Sequence, residues 1–117
     1  MNAHGSGTPT NDKMEAKVYE SLFLHSQAAL SSTKSAFGHT LGATGAIEAI
    51  VAITALNKKE APPTAGVKEL SSEWKNKNLV IHKPTTITAE PIVTASVTYG
   101  FGGANACLIF ANSEEGI

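Results

Sequence analysis

"STKSAFGHTLGATGAIE" (residues 32–48) runs from a hydroxyl-rich stretch through a glycine-rich turn into a helix start. From about Gly42 to Asn57 the segment "GATGAIEAIVAITALN" is apolar on nearly every face, which predicts a buried helix rather than a half-exposed one. Glu48 is the only charge in that run. An unpaired buried carboxylate is costly, so Glu48 must either take up a proton or meet a cation, and Lys34 is the nearest candidate in sequence. His39 precedes the helix N-terminus, where the partial positive charge favours the neutral ring. A neutral imidazole there can donate one N–H to a substrate oxygen. Two plainer readings stay open at this level: Lys34 and Glu48 as a purely architectural pair, and His39 as the cap of a turn.

Upstream, "NAHGSGTPTND" (residues 2–12) sets His4 on a glycine hinge, with Ser6 and Thr8 offering hydroxyls beside it. A polar loop whose His bonds to the backbone would look the same. Asp12 and Glu15 have capping-box spacing, and Met14, Val18 and Leu22 recur at i, i+4 and i+8. Roughly Asp12 to Phe23 therefore reads as an amphipathic helix with those three residues inward. Gln27 to Ser35 is compatible with a strand leading into the loop.

Downstream, residues 58–78 form a polar middle in which Pro62-Pro63 enforces an extended segment. Leu79 to His82 has the character of a short strand. "PIVTASVTYG" (91–100) and "NACLIFAN" (105–112) are the clearest strands, joined by the bend Phe101-Gly102-Gly103-Ala104. That bend is either a simple hairpin turn or a place where backbone N–H groups are aimed at an oxyanion, with Phe101 as a bulky residue on a pivot. The tail "SEEGI" is expected to fray. The order helix, strand, buried helix, strands indicates an α/β layered fold.

The chain has 117 residues, enough for one small domain, and 42% are apolar while only 16% are charged. A net charge of −1 gives no footprint for nucleic acid or a membrane surface. One cysteine, Cys107, rules out an internal disulfide framework and fits a reducing cytosol, so a cytoplasmic location is expected. Cys107 lies between Ala106 and Leu108 with no nearby base and reads as a small buried hydrophobe. His4, His25, His39 and His82 have no metal-ligand spacing, and neither a P-loop nor a dinucleotide fingerprint is present.

Together, "NAHGSGTPTND", "SSTKSAFGHTLGATGAIEAI" and "TYGFGGANACLIF" resemble signatures of the C-terminal half of the beta-ketoacyl-acyl carrier protein synthases, condensing enzymes of the thiolase superfamily. The resemblance covers nearly the whole chain apart from the polar middle and the tail. It implies the C-terminal half of a thiolase-like fold, a mixed sheet packed against a buried helix, incomplete without the N-terminal half. Residues 1–117 would then be a partial beta-ketoacyl synthase C-terminal domain. The implied reaction is acyl transfer with decarboxylative Claisen condensation of malonyl-acyl carrier protein, in fatty-acid or polyketide assembly, without metal or cofactor.

By the same resemblance, His4 and His39 would hold the malonyl thioester oxygen and stabilise the enolate. Lys34, paired with Glu48, would order the site's electrostatics. The Phe101 N–H would serve an oxyanion hole while its ring gates the acyl pocket. Ser6, standing where Thr is commoner, and Thr8 would bond the phosphopantetheine arm of acyl carrier protein. The family's nucleophilic cysteine belongs to the N-terminal half, and Cys107 matches no nucleophile motif. The lone chain is thus expected to be inactive, a piece of a larger enzyme that needs the N-terminal half or a homologous chain and pairs as a dimer or domain-completing oligomer. The competing expectation is a non-catalytic partner or scaffold subunit that completes another condensing-enzyme chain. Retention of both histidines and Lys34 argues against the chain-length-factor relatives.

Overall fold

The computed structural model describes residues 1–23 and 25–112; the tail expected to fray, 113–117, lies outside the described residues. Helix α1 spans Pro9–Phe23, a four-residue helix α2 spans Lys34–Phe37, and α3 spans Thr44–Lys58 after a 3-10 turn at Leu41–Ala43. Strands β1 (Glu60–Ala61) and β2 (Thr85–Thr86) form a minimal antiparallel pair. Strands β3 (Val93–Tyr99) and β4 (Asn105–Ala111) form a true hairpin, in which Val97 faces Cys107 and Tyr99 faces Asn105.

The β3–β4 hairpin is one side of a mixed sheet. Asn2 bridges in parallel to Ser96 of β3 and to Ser31, and Leu30 bridges in parallel to Leu79. The ladder is carried by Asn2 N–H to Ala95 O (2.7 Å), Val97 N–H to Asn2 O (3.0 Å) and Ala3 N–H to Ser31 O (2.8 Å). Leu30 N–H to Asn78 O and Val80 N–H to Leu30 O extend it to the far edge. Of the two marginal strands read from sequence, Gln27–Ser35 reduces to Leu30 and Ser31, and Leu79–His82 to Leu79 alone. Parallel neighbours supply the pairing that the local sequence only suggests.

Pro9 opens α1 because a first-turn N–H has no intrahelical partner to lose, and Thr8 O accepts the Asp12 N–H. The inward face differs from the expected one. Glu15, Ala16 and Tyr19 are buried, whereas Leu22 is 66% exposed and Met14 and Val18 are only half-buried. Tyr19 rotates the helix: its ring packs 5.1 Å from Phe23 and 6.5 Å from Trp74, and its hydroxyl donates to Ala28 O. Ala3, Ala16, Tyr19, Leu30 and Trp74 form the main apolar cluster. Truncating the fully buried Leu30 to Ala falls in the class that costs about 2–5 kcal/mol.

Helix α3 also departs from expectation, since it is not buried all round. It packs Thr44, Glu48, Ala52 and Ala55 against the sheet, while Ile50 (64% exposed) and Ile53 (40%) face out. Thr94 of β3 donates its hydroxyl to Ala52 O (2.9 Å), docking the helix on the strand. The expected burial of Cys107 is likewise corrected, because β4 is the sheet's edge and its residues Asn105 to Ile109, Cys107 among them, are exposed. Among the described residues, no helix is long and apolar enough to cross a membrane.

Candidate active site

The site gathers at the C-terminal end of β3, where three segments remote in sequence meet. The short parallel strand through Asn2 delivers His4 beside Tyr99, and the turn after α2 delivers His39. The two imidazole rings stand edge to face, with centroids 5.5 Å apart and planes at 85°. His4 is buried, with 6% of its surface exposed, and His39 is exposed.

The protonation of both rings follows from their partners. Tyr99 N–H donates to His4 Nδ1 (3.4 Å), and Leu41 N–H donates to His39 Nδ1 (3.1 Å). A backbone amide can only donate, so each Nδ1 is an acceptor and carries no hydrogen. A neutral ring then holds its proton on Nε2, as a donor. His4 is further kept neutral because burial lowers its pKa, with added repulsion from the Lys34 ammonium and from His39.

Lys34 explains how a charge survives here. Its ammonium pairs with Glu48 Oε1 inside the protein and lies 3.5 Å from His4 Nδ1. The second carboxylate oxygen of Glu48 accepts the Thr98 hydroxyl (3.2 Å). The lone charge of the apolar helix therefore meets the predicted cation, and the pair is held against the His4 ring. Removing either partner would strand the other without water, the case in which a buried pair matters most.

The loop of His4 is fixed from α1. Glu15 accepts His4 N–H on Oε1 (2.8 Å) and Gly5 N–H on Oε2 (2.7 Å), and Asn11 Nδ2 donates to Oε2 (2.8 Å). Burial raises the Glu15 pKa, opposed by these three donors, with the Asp12 charge adding a small rise. Sequence reading treated Glu15 as a capping-box member. Its carboxylate instead clamps the glycine hinge, and no spacing rule signals that. Gly5 is required there: its φ is +49°, and a Cβ would collide with the Ser32 side chain.

The remaining candidates sit further out. Ser6 and Thr8 bond each other (3.0 Å) on the half-open loop after His4. Phe101 is 96% exposed at the start of the bend Phe101–Gly103, which Gly102 kinks with φ +80°. Gly100 N–H to Ala104 O (2.7 Å) closes that bend, and Tyr99, two residues earlier, ties it to His4. A cleft of about 460 Å³ opens on the other side of Lys34, lined by Gly5, Ser6, Gly7, Lys34, Ser35 and His39 among others but not by His4 or Phe101. The structure thus brings His4, His39, Lys34 and Glu48 into one cluster, with Ser6 on the cleft wall and Phe101 standing clear. Chemically, two N–H donors held edge to face, one of them on the wall of a cleft, suit an oxygen on which negative charge develops.

The family model described as the beta-ketoacyl synthase C-terminal domain matches residues 1–68. A mitochondrial 3-oxoacyl-[acyl-carrier-protein] synthase of Arabidopsis thaliana is 38% identical over 118 residues, covering 96% of this chain and 25% of that protein. The 3-oxoacyl-[acyl-carrier-protein] synthase 2 of Rhizobium meliloti is 43% identical over 111 residues, with 93% and 25% covered. In structure, a beta-ketoacyl synthase from Burkholderia phymatum superposes with a TM-score of 0.86 at 33% identity, over 97% of this chain and 27% of that one. The chain spans about a quarter of the length of these relatives.

Proposed function

This chain belongs to the beta-ketoacyl synthase family, and on that premise we propose that it is the C-terminal catalytic portion of a beta-ketoacyl-acyl carrier protein synthase. Residues 1–117 act as one partial domain, and the reaction is decarboxylative condensation of a malonyl thioester with an acyl thioester. The observation that carries this reading is the edge-to-face pair of His4 and His39, each with Nδ1 occupied by a backbone N–H and Nε2 left as the donor.

The malonyl thioester lies in the cleft, its pantetheine arm against the Ser6 and Thr8 hydroxyls. Its carbonyl oxygen accepts from both Nε2–H groups. When the bond to the carboxylate breaks, carbon dioxide leaves and the electron pair moves onto that oxygen as an enolate. The two donors stabilise the charge without first giving up a proton. The enolate carbon then attacks the acyl carbonyl, whose oxygen is met by the Phe101 N–H, and a cysteine thiolate leaves. Lys34 holds a positive charge behind His4, fixed by Glu48, so the developing anion meets a favourable field.

The leaving thiolate belongs to a cysteine outside this chain, because Cys107 is exposed opposite Val97 in mid-strand and has no hydrogen-bonded base among the described residues. A nucleophile is required for the acyl-enzyme, so the lone chain does not condense. Acyl carrier protein brings the substrate, and the N-terminal half of a synthase or a homologous chain completes the enzyme. Condensation of radiolabelled malonyl-acyl carrier protein, with and without a matching N-terminal half, tests this. Turnover is expected only with the added half, and turnover by the chain alone would overturn it.

A second reading, a non-catalytic subunit that completes another condensing enzyme, draws on the exposed Ile50 and Ile53 of α3. It predicts a stable complex with a full partner whose activity is unchanged by His39→Ala.

A further inference from the structure

The turn between α2 and α3 holds a pair of hydroxyls, on Thr44 and Thr40, that the proposed mechanism does not use. Thr44, the first residue of α3, is buried, with 2% of its surface exposed. Its Oγ1 lies 3.3 Å from His39 Nδ1 and 3.1 Å from Thr40 Oγ1. The donors can be assigned in order. Leu41 N–H already donates to His39 Nδ1, so that nitrogen is bare, and in the bond to Thr44 the hydroxyl is the donor, sharing the ring's one lone pair with the Leu41 N–H. Thr44 Oγ1 is then free to accept, and the Thr40 hydroxyl donates to it. The chain of bonds runs Thr40 to Thr44 to His39 and ends on the ring nitrogen opposite the working one.

The backbone is strained to make this possible. Leu41 has φ +50°, a left-handed value disfavoured for a leucine, although Gly42 next to it would adopt such a value without strain. The Leu41 side chain is 67% exposed, so core packing does not compensate. What the conformation does secure is the Leu41 N–H on His39 Nδ1, an arrangement like that of an Asx turn, with the imidazole as acceptor.

We propose that Thr44 is a positioning residue that, with the Leu41 N–H and the Thr40 hydroxyl, locks the exposed His39 ring with its proton on Nε2. The inference rests on the reading above that His39 donates from Nε2 to a substrate oxygen. His4 needs no such device, because burial, Tyr99 and Lys34 surround it. His39 is open to water, which would otherwise permit either tautomer and free ring rotation.

The test is a nitrogen-15 NMR comparison of the full 117-residue chain, in which the shifts of His39 Nδ1 and Nε2 report which atom carries hydrogen. The buried Trp74 indole signal reports folding in the same samples. Thr44→Val keeps the shape and removes the hydroxyl; the ratio favouring Nε2–H should fall about fivefold, the effect of one ordinary hydrogen bond. Thr44→Ser should restore it, and Thr40→Val, on the exposed side, should lower it by about twofold. An unchanged ratio in folded Thr44→Val would overturn the proposal and leave Thr44 as a stitch of the turn to Thr40. Should Thr44→Val lose the Trp74 signal, Thr44→Ser and Thr40→Val decide alone: a shifted ratio in the first, or none in the second, would overturn it equally. None of these readouts uses substrate, so they fail separately from the condensation assay.

Discussion

Helices α1 and α3 are both fifteen residues long and treat polarity in opposite ways. On α1, Lys13, Lys17 and Glu20 face water, as in any surface helix, while its inner face buries Tyr19 and one working carboxylate, Glu15. On α3, the inner face carries Thr44 and Glu48, and the outer stripe Ala46, Ile50, Ile53 is apolar and exposed. A helix whose greasier side faces out is built to be covered by something else. The outer face of α1 is therefore polar and finished while that of α3 is not, and the imidazole pair sits between the two inner faces.

The sharpest test of that contrast lies on the inner face of α3. Glu48→Ala leaves the Lys34 ammonium buried without a partner and should cost about 3–5 kcal/mol in urea unfolding. A loss below about 1 kcal/mol would mean that water reaches Lys34 and the inner face is not closed. On the α1 side, Gly5→Ala forces a side chain into Ser32 at a positive φ and should cost about 1–3 kcal/mol by the same measurement. Glu15→Gln keeps one acceptor where two N–H groups need two, with an expected loss of about 1–2 kcal/mol and a displaced His4 ring signal. A pH effect should be smaller still. His4 has its folded pKa below the ordinary 6.5, so its neutral form contributes stability above 6.5 that is lost as pH falls through 6.5 toward the lowered value. Urea midpoints across that window, compared with His4→Gln, would show the difference.

The smallest change is the most telling for the outer stripe. Ile50→Lys should alter the stability of the chain alone by no more than about 0.5 kcal/mol, because the side chain is already in water. The same substitution should abolish association with an N-terminal half in light scattering. A large destabilisation of the lone chain would place Ile50 in its own core and erase the contrast between the helices.

How far these features were legible follows the same division. The Lys34–Glu48 pair was readable because a single charge in an apolar helix demands a partner. The β3–β4 hairpin was readable from its β-branched runs. Convergence of His4 and His39, thirty-five positions apart, came only from the resemblance, since the parallel bridges that align them involve one or two residues each and leave no periodic trace. Glu15 was misjudged because its three-residue spacing from Asp12 fits a capping box, whereas the amides it clamps lie ten and eleven residues away and leave no local signal. The faces of α1 and α3 and the exposure of Cys107 were misjudged for a common reason. Hydrophobic pattern reports which side wants to be covered, not which side this chain covers: on α1 the Tyr19 ring sets the inner face, and on α3 and β4 Ile50, Ile53 and Cys107 stay exposed.

The most direct measurement concerns the two imidazoles acting on one oxygen. Carbon dioxide release from malonyl-acyl carrier protein should be followed in the complex with an N-terminal half, for His4→Ala, His39→Ala and the double variant. Each single variant should lose about 10²–10³-fold, as for one donor of an oxyanion site. The double variant should fall far short of the product of the two losses, because groups that act as a unit are not additive. Full multiplication of the two effects, or release unchanged in either single variant, would contradict a shared site.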